Sequence, residues 1–89
     1  MFWKCRYVIS FKKKIVDDMV IKDSYICKVL SDLLKEYDFR IVKTDIYNTK
    51  FSKIYIKARS KDIFKIYSSF CMRLQDNITN SGFEREIIF

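Results

Sequence analysis

Residues 53–59, Lys-Ile-Tyr-Ile-Lys-Ala-Arg, sort their side chains by parity into two chemically different sets. A strand repeats every two residues, so Ile54, Ile56 and Ala58 share one face while Lys53, Tyr55, Lys57 and Arg59 share the other. The first set makes a core face. The second places three cations around an aromatic ring, with charges suited to phosphates and a π-face suited to a base or sugar.

The rest of the chain alternates between two periodicities. Residues 3–11 carry Cys5, Tyr7, Ile9 and Phe11 against Lys4, Arg6, Val8 and Ser10, which predicts a strand. Lys12-Lys13-Lys14 through Ile21 reads as a connection, partly helical at most. Asp23 or Ser24 can accept the free amides that open a helix running to about Tyr37, with Ile26, Val29, Leu30, Leu33, Leu34 and Tyr37 as its inward stripe.

Phe39 to Tyr47 alternates again, and Asn48-Thr49-Lys50 reads as a turn into residues 51–59. A loop of that parity opposes Val42 to Ile56 and Thr44 to Ile54, and sets Lys43 across from Tyr55 and Asp45 across from Lys53. A loop one residue shorter would set Lys43 beside Ile54, so the longer turn is preferred. Ser60 is a good N-cap for a second helix, and Asp62 in its first turn favours the helix dipole. Ile63, Phe64, Ile66, Tyr67, Phe70, Leu74 and Ile78 extend its apolar face to about residue 78. Asn80-Ser81-Gly82 breaks the chain, with the only glycine where a positive φ is often required, and Phe83 to Phe89 reads as the final strand.

The order β-α-β-β-α-β over residues 1–89 predicts one α+β domain, a ferredoxin-like or RRM-like sandwich with one antiparallel sheet and two helices on one face. In such a sheet the first and third strands lie side by side in the middle. If Cys5, Tyr7, Ile9 and Phe11 face the helices, Lys4 and Arg6 join Lys43, Lys53, Tyr55, Lys57 and Arg59 on the open face. These seven are the candidate RNA-binding residues. The competing account is a solvated polar face without a ligand, which antiparallel sheets commonly show. The glycine and paired ring positions of the RRM consensus are absent, so Tyr55 stands alone as a stacking candidate.

Charge favours an acidic partner: 18 Lys and Arg against 11 Asp and Glu give a net charge of +7, spread along the chain. Solubility by charge alone is the alternative. Cys5, Cys27 and Cys71 form neither a disulfide framework nor a zinc pattern, which fits a reducing compartment. Cys27 and Cys71 fall on or beside apolar helix faces and are expected to be packed. The chain has no His, the commonest general base and metal ligand. Asp17-Asp18, the only adjacent acidic pair, follows a lysine run and lacks a phosphate cradle, so it reads as solvated loop carboxylates. The expectation is therefore no catalytic residue, metal or cofactor. No run approaches the ~20 apolar residues that cross a bilayer, so a soluble, unexported protein without a membrane partner is expected.

Lys4-Cys5-Arg6-Tyr7-Val8-Ile9 resembles the Lys-x-Arg-Tyr-Leu-Leu start of the small RRM-like protein subunit of archaeal and eukaryotic ribonuclease P and ribonuclease MRP, the "Pop five" family. Asp45-Ile46-Tyr47-Asn48, a short turn and Ile54-Tyr55-Ile56-Lys57-Ala58-Arg59 are similar to that family's strand, Asn-containing turn and Ile-Ile-Arg-x-Arg strand. Ile66-Tyr67-Ser68 is similar to its Val-Trp-Ser-like helical step, and the resemblance spans most of residues 3–75. Lys57 stands where arginine is usual, which replaces a bidentate fork by a point charge. Glu86-Ile87-Ile88-Phe89 stands without the family's Gly-Thr-Ile-containing final strand, as in a shortened member or the smaller sister subunit.

The resemblance implies a non-catalytic partner of a catalytic RNA. RNA-held metal ions would cut, while the protein lowers the electrostatic cost of RNA packing and helps position precursor tRNA for 5′ processing. It implies Arg6, Lys57 and Arg59 as RNA contacts, Lys4 and Lys53 as flanking phosphate contacts, and Tyr55 as a stacking residue. Tyr7 is expected in the core and Asn48 in the turn. The implied partners are a ribonuclease P/MRP-type RNA, precursor tRNA and other protein subunits of the complex. The implied setting is intracellular, the nucleus in a eukaryote and the cytoplasm in an archaeon. A second expectation is a protein-protein assembly module without direct RNA contact, because Phe2, Trp3, Phe51, Phe64 and Phe83 are more large rings than one small core needs.

Overall fold

The computed structural model describes residues 3–47 and 51–87. Its elements are β1 (Lys4–Lys13), β2 (Ile15–Val16), β3 (Met19–Val20), α1 (Asp23–Glu36), β4 (Phe39–Asp45), β5 (Ser52–Arg59), α2 (Ile63–Leu74) and β6 (Ile78–Arg85). The main sheet is antiparallel in the order β4-β5-β1-β6, and β2-β3 is a separate hairpin. Apart from that hairpin, this is the α+β sandwich of the ferredoxin-like or RRM-like type, with β1 and β5 in the middle.

The period-two apolar sets meet the helical stripes in one core. Tyr7, Ile9 and Phe11 of β1 and Ile54, Ile56 and Ala58 of β5 are buried with Ile26, Val29, Leu30 and Leu33 of α1 and Ile63, Ile66, Phe70 and Leu74 of α2. The rings of Phe11 and Phe70, 5.5 Å between centroids, join the central strand to the second helix. Removing so much apolar surface from water is the main stabilising term, at roughly 25 cal/mol per Å².

The segment expected as a connection is structured otherwise. β1 runs on to Lys13, and Ile15↔Val20 and Val16↔Met19 close a hairpin around Asp17-Asp18. Both aspartates have positive φ, 52° and 63°, the twist that two-residue hairpin loops need and that Asp tolerates better than most residues. Strands this short show no alternation, so periodicity cannot reveal them. The Lys13 ammonium turns inward and donates to the Asp23 carboxylate and the Ile46 carbonyl, tying the hairpin root to α1 and the end of β4.

Helix boundaries and faces also depart from expectation. Neither Asp23 nor Ser24 caps α1: Lys22 occupies the N-cap without a side-chain bond, and Asp23 lies in the first turn. Leu34 is exposed, one step of about 100° round the helix from buried Leu33. Asp62 precedes α2 in place of Ser60, and Phe64 points to solvent at 67% exposure. The helix ends at Leu74, where the Asn77 amide donates to the Leu74 carbonyl, and Ile78 is buried as the first residue of β6. Cys27 is exposed where packing was expected, whereas Cys5 and Cys71 lie against the core, and all three are free thiols.

The final strand begins earlier than residue 83, because β6 pairs with β1 from Ile78 onward. Ser10↔Gly82 and Lys12↔Thr79 leave Asn80 and Ser81 together opposite Phe11, a bulge. Asn80 carries the left-handed φ of 52° there, and Gly82 does not adopt a positive φ. Glu86 and Ile87 follow the strand, and residues 88 and 89 of the expected strand lie outside the described residues.

A second bulge sits on β4. Ile41, not Val42, opposes Ile56, and the extra residue Val42 turns to solvent. The pairs Lys43↔Tyr55, Thr44↔Ile54 and Asp45↔Lys53 hold as expected. The expected turn Asn48-Thr49-Lys50 lies outside the described residues.

Burial raises the phenols of Tyr7 and Tyr67 above their ordinary value, because a phenolate loses its hydration there. The folded state therefore prefers the neutral rings. Their contribution to stability is intact below the unfolded tyrosine value of about 10 and falls as pH rises through the raised folded values. Thermal melting between about pH 8 and 11 is expected to show this fall, and Tyr7→Phe with Tyr67→Phe to make it shallower.

Candidate nucleic-acid interface

Cross-strand register organises the face opposite the helices into rows. Lys4 lies across from Arg59; Arg6 from Lys57 and Lys57 from Arg40; Val8 from Tyr55 and Tyr55 from Lys43; Ser10 from Lys53 and Lys53 from Asp45. Directly opposed residues of an antiparallel pair share a face, so all seven candidates come together on the side that the helices leave bare. Arg40 and, by alternation along β1, Lys12 join them, and sequence reasoning missed both. Arg40 was legible in the alternation of Phe39 to Tyr47. Lys12 was hidden because β1 was expected to stop at Phe11.

The intrachain partners of these cations are unevenly spread. The Lys4 ammonium donates to Asp38 at 3.0 Å, and Arg59 Nε donates to Asp62 at 2.8 Å. Arg6 holds Glu86 through Nε–Oε2 at 3.0 Å and Nη2–Oε1 at 3.4 Å. Among the described residues, Arg40, Lys53 and Lys57 make no ion pair. Acid gathers at the opposite edge: Glu84 lies across from Val8 on the same face, and Glu86 follows β6. The face is thus mainly basic over β4, β5 and β1, with Asp45 an acidic exception on β4, and acidic along β6.

The hydrogen bond and charge of Lys4 hold the Asp38 carboxyl below the usual carboxylate range. Asp38 is nonetheless exposed, and solvent-screened pairs of this kind are worth little, so a phosphate can replace the carboxylate at small cost. The Lys43 ammonium sits 4.5 Å from the Tyr55 ring centroid, a cation-π contact that occupies one ring face. A base stacking on that face has to displace Lys43.

The β4 bulge shapes the middle row. Between Arg40 and Arg6 it leaves a hollow of about 250 Å³ lined by Arg6, Arg40, Ile41, Val42 and Lys57. A neighbouring cleft of about 410 Å³ is lined by Trp3, Lys4, Cys5, Arg6, Arg85 and Glu86. Guanidinium and ammonium groups so arranged can hold phosphodiester oxygens. Among the described residues, no group of His, Cys, Asp and Glu side chains is placed to hold a metal ion, and no helix is long and apolar enough to cross a membrane.

A different surface is apolar. Ile15, Val16, Met19 and Val20 of the hairpin are exposed, and Ile15 and Val20 line a hollow of about 290 Å³ with Lys12 and Lys13. Trp3, Phe51 and Phe64 are also exposed. Phe83 instead packs beside Tyr7 and Tyr67, with centroids 6.4 and 4.8 Å away, and Phe2 lies outside the described residues. Set against known proteins, the chain matches no protein-family model and no curated protein.

Proposed function

We propose that this protein is an RNA-binding, non-catalytic subunit of a ribonuclease P/MRP-like ribonucleoprotein, supporting RNA folding and precursor-tRNA 5′ processing through the open face of its sheet. The observation that carries this reading is the row Arg40–Lys57–Arg6, three cations abreast on adjacent strands with, among the described residues, one ion-paired carboxylate beside them. Like charges placed directly opposite destabilise a sheet, and a polyanion laid across them turns that cost into binding. Further cations on the same three strands suit an extended backbone. The motifs of residues 3–75 narrow the polyanion to a ribonuclease P/MRP-type RNA, whose metal ions would do the cutting. The protein would travel with that RNA, in the nucleus of a eukaryote or the cytoplasm of an archaeon.

A second reading, assembly with other proteins of the same complex, is favoured by the hairpin. A two-stranded hairpin is marginal alone in water, and this one exposes its aliphatic side chains. Purification of the native chain in mild salt tests both readings. A precursor-tRNA-processing RNA is expected to co-elute as the dominant nucleic acid, and recovery of protein partners without RNA would count against the first. Light scattering is expected to show association that Ile15→Ser with Val20→Ser abolishes while RNA affinity is kept; a monomeric wild-type chain without protein partners would remove the second.

A further inference from the structure

We infer that the hollow beside the Val42 bulge is a seat for one phosphodiester group and that Glu86 is its internal competitor, an anion that occupies Arg6 until RNA displaces it. This rests on the RNA-binding reading above. The rows of the face differ in how their charge is answered. Lys4 and Arg59 each have a carboxylate, Asp38 and Asp62. Among the described residues, Arg6, Lys57 and Arg40 share a single ion-paired carboxylate, that of Glu86, which stands at one end of the row.

The excess positive charge therefore lies at Lys57 and Arg40, where the bulge opens the hollow of about 250 Å³. That space is open to solvent and admits a phosphate group among the three cationic side chains. The side chains of Ile41 and Val42, which complete its lining, carry no charge to compete with the anion.

Glu86 marks the chemistry the seat accepts. Its two oxygens meet two nitrogens of Arg6, the fork geometry by which guanidinium also takes two phosphate oxygens. The Glu86 amide donates to the Arg6 carbonyl at 2.9 Å, so the backbone stays fixed while the side chain swings away. Exchange of carboxylate for phosphodiester is a rotamer change and needs no unfolding of the sheet edge. The acidic β6 side then repels the RNA phosphates and keeps the RNA over β1, β5 and β4.

Fluorescence anisotropy with labelled oligouridylate over a salt series tests the proposal. Glu86→Gln is expected to tighten binding about threefold and steepen the log-log salt slope by about 0.7, because Arg6 becomes available for a phosphate. Arg40→Ala, on an exposed edge position that leaves the core untouched, is expected to weaken binding about tenfold and make the slope shallower by about 0.7. Wild-type affinity and slope in both variants would overturn the seat. If Lys53→Ala still weakens binding in that case, the face binds RNA elsewhere and only the seat fails; if it does not, the RNA reading fails as well. Inorganic phosphate that competes with oligouridylate as strongly as an unlabelled oligonucleotide does would make this a free-anion site, and that too would overturn the proposal.

Discussion

Lys57→Glu is expected to make the folded protein more stable and its hold on RNA weaker. Lys57 lies between Arg6 and Arg40 in the sheet, with no carboxylate of its own among the described residues. A glutamate there turns two like-charge neighbours into opposite-charge ones, worth about 0.2–1 kcal/mol for each cross-strand pair. The same change replaces a phosphate-binding cation by an anion in the middle of the proposed contact. A charged contact is worth roughly 1.5–3 kcal/mol, so a loss of about tenfold to a hundredfold in RNA affinity is expected. Urea denaturation and a salt-resolved binding titration on one sample measure both quantities. A variant that gains stability and keeps wild-type RNA affinity would show that the row is a solvated surface and no more. Opposite signs in the two measurements separate a binding surface from a structural one, which a simple loss of function cannot do.

Phe70→Ala is expected to destabilise the protein by about 3–5 kcal/mol. The side chain is fully buried on α2, with its ring 5.5 Å from that of Phe11 on β1, so truncation leaves a cavity between helix and central strand. At roughly 0.05–0.15 kcal/mol per residue, the 89-residue domain has about 4–13 kcal/mol in all, so this loss is a large share of its stability. Phe64→Ala, six positions earlier on the same helix and 67% exposed, is expected to change stability by less than about 0.5 kcal/mol. Denaturant melts of the two variants provide the comparison, and a small effect at Phe70 would contradict the packing of α2 onto β1. The functional consequence follows from where Phe11 sits. Its strand presents Lys4 and Arg6 on the opposite face, so loosening the core beneath β1 also loosens the spacing of those charges.

What could be read from the residues follows from whether a local rule governs them. Parity sorted β1 and β5 correctly because a buried face has to be apolar at every second position. That, with the expected strand order, was enough to put Arg6 and Lys57 on one surface, while the register that sets them directly opposite is a property of the fold. Leu34 and Phe64 were misassigned because an apolar residue flanking a helical stripe can point either way, and only the neighbouring elements decide which. Val42 was misassigned for another reason: a bulge inserts a residue on the solvent side without any change in composition, and it shifts the parity before it. Asn80 took the left-handed conformation that the glycine signal had pointed to at Gly82, because the bulge falls opposite Phe11, where two strands of unequal length are reconciled.

The chain by itself determined the order of the sandwich's four main strands and two helices, the identity of the central strands and the sign of most of the charge on the bare face. All three follow from short-range periodicity and from the need to bury apolar surface. Only the folded molecule decided which cations are already answered by Asp38, Asp62 and Glu86, that Arg40 completes a row, and that a bulge hollows its middle. Those features join residues up to 80 positions apart in the chain, as Arg6 and Glu86 are. Pairings at that distance are set by register and strand order, which local pattern cannot express.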